Sequence, residues 1–190
     1  MSKFIVLEGI DGSGKSSVAE FLERRVEKVY LTCEPSDSEP GKLAQKIAKE
    51  ETSPFMDLFL YLADRVEHTE KIKKKLDKGF DVVCDRYWGS TAAYQSAHPE
   101  IDFEYAVEVQ KPFIMRPSIT FLLDIDPEVS LERISGRKVK SKYERLNFLK
   151  KVRKNYLTLG EEYDWSIIDA DQSPEDVISQ VEKVLEREEE

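Results

Sequence analysis

The chain has 190 residues, with 29 lysines and arginines against 38 aspartates and glutamates, a net charge of −9 at pH 7. That acidity excludes a chain-wide basic footprint for nucleic acid, and 40% hydrophobic with 35% charged residues is a globular balance, not a disordered one. No apolar run approaches the roughly 18 residues that a membrane span needs.

Met1-Ser2-Lys3-Phe4 leads straight into a strand pattern, which leaves no room for a signal peptide. In chain order, Phe4-Ile5-Val6-Leu7 is a continuous apolar run bounded by Gly9 and reads as a strand buried on both faces. Val18, Phe21, Leu22 and Val26 then recur at helical spacing, and Val29-Tyr30-Leu31-Thr32 reads as a second strand. Cys33 follows it. Leu58, Leu62, Val66, Ile72 and Leu76 mark one long helix, stopped by Gly79. Asp81-Val82-Val83-Cys84 is a third strand, Ser118–Leu123 a fourth, and Trp165-Ser166-Ile167-Ile168 a fifth. Between the last two, Leu146, Leu149, Val152, Tyr156 and Leu159 form a helical stripe that ends near Gly160. The final helix has Ser173 as cap, Pro174 in its first turn and Asp176 completing a capping box, with Val177, Val181, Val184 and Leu185 on one face. Apolar strands alternating with helices predict an α/β fold: a five-stranded parallel sheet with helices on both faces, a three-layer sandwich. No repeat or linker divides it, so a single domain over residues 1–190 is expected. Cys33 and Cys84 belong to no CxxC pair and read as buried small hydrophobes in a cytoplasmic protein.

The strongest chemical signal is Gly9-Ile10-Asp11-Gly12-Ser13-Gly14-Lys15-Ser16, which fits GxxxxGK[ST] between a strand and a helix. Gly12 and Gly14 let the backbone curl so that successive N–H groups, with the helix N-terminus, form a positive concavity for phosphates. Lys15 adds a point charge to the terminal phosphates and the Ser16 hydroxyl is a ligand for Mg²⁺. Nucleoside triphosphate binding follows, with ATP and Mg²⁺ as the expected co-substrate and cofactor. The loop alone does not separate a kinase from other triphosphate-binding proteins. A guanine-reading Asn-Lys-x-Asp segment is missing from the sequence.

Three further segments point to a second, phosphorylated substrate. Asp85-Arg86-Tyr87 ends the third strand, at the edge of a parallel sheet where ligands bind; Arg86 can fork onto a phosphate, and Asp85 can hold Mg²⁺ through water or position the acceptor. Tyr61 and Arg65, four residues apart, share one helix face and would offer a planar base an aromatic wall and a donor fork. From Arg133 to Lys154 there are ten basic residues and one acid, Glu144. Lys150, Lys151 and Lys154 read as a solvated face, whereas Arg133 and Arg137 read as arginines that neutralise transition-state charge. A nucleic-acid patch is the alternative reading of the same charges.

These residues together resemble the thymidylate kinase family of P-loop nucleoside monophosphate kinases. The resemblance rests on the strand and loop Phe4–Ser16, on Leu62-Ala63-Asp64-Arg65 with His68, and on Asp85-Arg86-Tyr87 followed by Ser90-Thr91-Ala92-Ala93-Tyr94-Gln95. It also rests on Leu131-Glu132-Arg133 with Arg137 and Glu144, and on Tyr156-Leu157-Thr158-Leu159. It implies phosphoryl transfer from ATP to dTMP, giving dTDP and ADP for dTTP synthesis, by a homodimer with a mobile lid over about residues 133–145. It implies that Asp11 touches the acceptor's ribose or phosphate, Tyr61 stacks on the base and Arg65 bonds a thymine carbonyl. Arg86 would hold the acceptor phosphate, Ser90, Thr91 and Gln95 would lie near the acceptor, and Tyr94 would crowd the ribose 2′ position. Gly12 stands where some members have a catalytic arginine, so the lid variant is implied, with Lys15, Arg86, Asp85 and Arg133 or Arg137 catalytic.

The chain departs from the family pattern in three places. Thr32-Cys33-Glu34-Pro35-Ser36-Asp37-Ser38 replaces Thr-Arg-Glu-Pro-Gly-Gly-Thr, Ser141-Lys142-Tyr143-Glu144 replaces Asp-Arg-x-Glu, and Tyr61 replaces phenylalanine. Two alternatives stay open: a kinase for another nucleoside monophosphate, and a silent ATP-binding regulatory or nucleic-acid-binding protein. His68, Trp88 and Trp165 read as structural.

Overall fold

A computed structural model describes residues 2–136 and 142–188. Five strands form one parallel sheet: β1 (Phe4–Glu8), β2 (Val29–Cys33), β3 (Asp81–Asp85), β4 (Ile119–Asp124) and β5 (Ser166–Asp169), in the order β2-β3-β1-β4-β5. β1 is central and every one of its residues is buried, as a run of Phe, Ile, Val and Leu requires when helices cover both faces. The chain leaves β1, skips one place to β2 and returns to β3 alongside β1, while β4 and β5 continue on the other side. The direction of winding therefore reverses at β1, and ligands of open α/β sheets bind at the strand C-termini beside such a point.

Among the described residues eight α-helices connect and cover the strands: α1 (Lys15–Arg25), α2 (Glu39–Ile47), α3 (Pro54–Asp77), α4 (Trp88–Gln95), α5 (Phe103–Glu108), α6 (Pro127–Ile134), α7 (Leu146–Glu162) and α8 (Pro174–Arg187). The long helices α3 and α7 follow the apolar stripes of the sequence. α8 starts as its capping box predicts, with the Ser173 hydroxyl accepting from the Asp176 amide at 3.2 Å and donating to the Asp176 carboxylate at 2.7 Å. The short helices α2, α4, α5 and α6 are too brief for periodicity to reveal. Three of them nonetheless carry side-chain caps: Ser38, Asp102 and Asp126 accept from the amides of Gly41, Tyr105 and Glu128.

One apolar cluster spans both faces of the sheet, from Val18 and Leu22 on α1 to Leu149, Val152 and Tyr156 on α7. Trp88 is buried there, edge-on to Tyr163 and Trp165 at ring separations of 4.8 and 5.5 Å, which is the packing role expected of both tryptophans. Cys84 is buried as expected, but Cys33 is exposed. The reason is topological: β2 is an edge strand, and Cys33 is its last residue. Among the described residues no helix is long and apolar enough to cross a membrane. Arg137, one of the two lid arginines, and residues 138–141 of the expected lid lie outside the described residues.

Candidate functional site

Four of the five strands end on a carboxylate, Glu8, Asp85, Asp124 and Asp169, and β2 ends on Cys33; the adjacent strands β2, β3 and β1 end at Cys33, Asp85 and Glu8. The phosphate loop leaves β1 there. Gly12 and Gly14 turn it at φ 82° and 94°, a left-handed backbone that side-chain-bearing residues avoid, and Gly14 caps α1 in that conformation. Lys15 is buried, and its Nζ donates to the carbonyls of Gly9 and Ile10, both at 3.0 Å. The Ser13 hydroxyl is buried without a partner, and Ser16 is exposed on the first turn of α1. α6 braces the loop from behind, where the Ser130 hydroxyl donates to the Asp11 carbonyl at 2.6 Å.

Two cavities flank the loop. The larger, about 370 Å³, brings together Asp11, Tyr61, Arg65, Arg86, Ser90, Thr91, Tyr94 and Gln95, the full set of acceptor candidates from the sequence. The smaller, about 270 Å³, is lined by Gly12, Ser13, Gly14 and Ser17 on one side and by Arg133, Gln172, Pro174, Val177 and Ile178 on the other. Arg133 thus stands apart from the acceptor candidates. Its guanidinium donates to the carbonyls of Ala170 at 2.9 Å, Gln172 at 3.3 Å and Gly12 at 3.4 Å, so it staples α6 to the phosphate loop and to the segment before α8.

Arg86 is the hub of the larger cavity. It follows β3 with φ 68°, a left-handed conformation costing a non-glycine residue about 1–2 kcal/mol. Several bonds hold it there. Its amide donates to the Leu7 carbonyl at 2.8 Å, and its guanidinium donates to Asp11 at 2.6 Å, to Ser90 Oγ at 3.2 Å and to the Tyr156 hydroxyl at 3.4 Å. Behind it lies Glu8, fully buried, whose carboxylate accepts from the amides of Tyr87 and Ser90 and from the Ser90 and Tyr156 hydroxyls. Burial pushes the Glu8 carboxyl above its usual range, against the pull of the Ser90 hydrogen bond and the Arg86 charge.

Arg65 is buried. It donates to Glu34, Gln110 and Thr91, the last at 3.0 Å, so three of its five N–H donors are used and Nε has no partner. Glu34 is fixed in turn by His68, whose other ring nitrogen pairs with Thr32 Oγ1 at 2.7 Å. His68 is therefore a structural relay. Gln95 lines the cavity with both amide atoms buried and without a hydrogen-bond partner. The Tyr94 ring lies 5.3 Å from the Arg86 guanidinium, and burial pushes its hydroxyl up to about 12, so it stays protonated.

The Cys33–Ser38 departure has a local account. The buried Asp64 accepts from the Ser36 amide at 2.7 Å and from the hydroxyls of Ser36 and Ser38, and the Ser38 hydroxyl accepts from the Gly41 amide. Serine hydroxyls bonded to a buried acid thus shape this turn, and none of residues 36–38 adopts a positive φ. Sequence reasoning missed Gln45, Ala48, Lys49 and Tyr143, which also line the larger cavity. Gln45 lies on a helix of only nine residues and Ala48 caps its end, too short a span for periodicity to reveal, and Tyr143 stands out in the sequence only as part of the altered lid motif.

For a divalent cation, the Asp85 carboxylate is the informative group. Its Oδ1 is buried with no hydrogen-bond partner, a state that is costly unless a cation or donor meets it. With the accessible hydroxyl of Ser16, this oxygen donor set suits Mg²⁺, which keeps most of its waters and takes few protein ligands. Among the described residues no cluster of three or more His, Cys, Asp or Glu competes for a metal.

The Lys15 ammonium is lowered to about 8 by burial first and by the Arg86 charge second, with Asp85, Asp11 and Glu8 opposing. An anion beside it favours the charged form, so polyphosphate binding takes up a proton between about pH 8 and the ordinary lysine value of about 10.5, and affinity falls as pH rises through that window. Calorimetry of ATP binding at pH 9, in two buffers of different ionisation enthalpy, will show this uptake. Lys15→Met abolishes it, and an uptake of zero in the native chain would contradict the assignment.

The profile of the thymidylate kinase family matches residues 7–181. Among curated relatives, a probable thymidylate kinase of Pyrobaculum aerophilum is 38% identical over 187 residues, covering 97% of this chain and 96% of the relative. Probable thymidylate kinases of Methanocaldococcus jannaschii and Archaeoglobus fulgidus are 42% identical over 168 residues (87% and 86% covered) and 40% over 187 residues (96% and 94% covered). On this evidence the chain belongs to the thymidylate kinase family.

Proposed function

We propose that the protein transfers the γ-phosphoryl group of ATP to dTMP, giving dTDP and ADP and supplying dTTP synthesis. The observation that carries the reading is the pair of cavities meeting at one phosphate loop, with Asp11 and Arg86 facing one and Gly12–Gly14 facing the other. Two anions gripped from opposite sides of such a loop are held for in-line transfer, and holding them is most of the catalysis this chemistry needs.

In this reading the smaller cavity takes the nucleoside of ATP against the flat, tethered guanidinium of Arg133. The loop amides and Lys15 take its phosphates. Arg86 holds the phosphate of dTMP, whose oxygen attacks the γ-phosphorus as ADP leaves. Tyr61 walls the base, and Gln95 and Arg65 offer a donor and acceptor set that matches the imide edge of thymine. Tyr94 narrows the ribose site. Ser16 and Asp85 would hold Mg²⁺, which neutralises phosphate charge when bound. Because Arg133 spends its donors on backbone carbonyls, Arg137 is the favoured arginine for the transferring phosphoryl group. We read the whole chain as one kinase domain with its lid over about residues 133–145.

An apolar face supports a homodimer. Phe55, Phe59 and Val66 share one side of α3 and are exposed, with Met56 and the Tyr105 ring beside them. The free thiols Cys33 and Cys84 fit a reducing compartment, the cytoplasm. The acidic chain has no call on nucleic acid or membrane as a partner.

A coupled ADP-release assay over a panel of monophosphates tests the reading. dTMP gives the highest kcat/KM. dUMP, lacking one methyl, falls by about 10–200-fold, the worth of one methyl in an apolar pocket. Acceptor-independent ADP release, or none, with salt-sensitive DNA or RNA binding would favour the silent alternative. Arg86→Ala and Arg86→Gly both abolish transfer, and urea denaturation finds the glycine variant more stable by about 1 kcal/mol because it relieves the left-handed backbone. Normal turnover by either variant would remove Arg86 from the chemistry.

A further inference from the structure

Asp57 lies in the first turn of α3 and is 1% exposed. A carboxylate that deep is costly unless donors meet it, and three do. Thr52 Oγ1 donates to Oδ1 at 2.6 Å, the Tyr143 hydroxyl donates to Oδ2 at 2.9 Å, and Lys142 Nζ lies 2.7 Å from Oδ2. Lys142 Nζ also donates to Thr52 Oγ1 at 2.6 Å, and its amide donates to the Ala48 carbonyl at 3.3 Å just beyond α2. The two residues that lead toward α7 are thereby fastened across the α2–α3 connection, far from them in sequence.

Tyr143 is where this fastening reaches the site. It is buried and lines the larger cavity, its ring 5.5 Å from that of Tyr94 and stacked on Phe148 at 5.7 Å. Its hydroxyl faces Tyr61 and Gln95 as well as Asp57. A buried ion pair seldom adds much stability over apolar packing, and its better-attested use is to fix one arrangement. Here the arrangement fixed is the position of a cavity wall.

We propose that Asp57 is a positioning residue for the acceptor: by gripping Lys142 and Tyr143 it sets Tyr143 as the wall that closes the acceptor cavity over the base. The proposal rests on the larger cavity being the acceptor site. It makes a directional claim, because none of Asp57, Lys142 and Tyr143 lines the smaller cavity. Loosening the grip opens one site and leaves the other intact.

Steady-state kinetics on the native chain and on Asp57→Asn, Lys142→Met, Tyr143→Phe and Tyr143→Ala test it, with thermal melts run alongside. Asp57→Asn, Lys142→Met and Tyr143→Ala raise the KM for dTMP about tenfold while the KM for ATP stays within about twofold. Tyr143→Phe keeps the ring, loses one bond to Asp57 and falls between these and the native chain. Should Asp57→Asn fail to fold, Lys142→Met decides the matter from the more exposed end of the ion pair. An unchanged KM for dTMP in the folded variants, or a parallel rise in both KM values, overturns the positioning role. Failure of the native chain itself to turn over dTMP would instead remove the acceptor reading, and the role with it.

Discussion

The site depends on one half-buried guanidinium held beside fixed carboxylates. Arg86 joins the phosphate loop through Asp11, α4 through Ser90 and α7 through Tyr156, and Glu8 stands behind the same hydroxyls. Removing Asp11 would leave the Arg86 guanidinium without its direct carboxylate partner, the costly case for a charge held largely away from water. The strained backbone of Arg86 persists because so many bonds fix it from different elements. Two cations, Lys15 and Arg86, thus face three carboxylates, Glu8, Asp11 and Asp85, before any phosphate enters. The depressed Lys15 follows first from its own burial, and an anion beside it would favour the charged form.

A second network works the same way around Arg65. Thr32, His68, Glu34 and Arg65 form a continuous chain of hydrogen bonds from the edge strand to the larger cavity, and Thr91 and Gln110 complete it. Nearby, Asp64 shapes the Ser36–Ser38 turn. Two buried acids on or beside α3, Asp57 and Glu34, thus hold residues that line the larger cavity, while Asp64 shapes the turn beside it. Long-range, charge-assisted bonds give the cavity its form where short loops alone would leave it variable.

The sheet and the long helices were legible in the sequence because apolar periodicity reports burial directly. Its limits are instructive. Apolar runs stop at Leu7, Cys84 and Leu123, one residue before the strands end at Glu8, Asp85 and Asp124, because these strand ends carry carboxylates. The expectation for Cys33 failed for a related reason, since strand order, not the local pattern, decides which strand lies at the edge. The acceptor candidates were legible through motif spacing and meet in one cavity. The partners that hold them were not: Glu34, Gln110, Tyr143 and Asp57 are 31 to 86 positions from the groups they serve, and no window of sequence joins them. Arg153 is a further case. It was counted within a basic run, yet it clasps Asp124 through two bonds of 2.7 and 2.8 Å and so pins α7 to the end of β4.

The central claim is that two anion sites lie on opposite sides of one phosphate loop and are spanned by the reacting phosphates. Calorimetric titration with a single molecule carrying adenosine and thymidine joined by five phosphates tests this most directly. The account predicts one molecule bound per chain, displacing ATP and dTMP together and binding at least about a hundredfold more tightly than either. Two molecules bound per chain, or displacement of only one substrate, would contradict it.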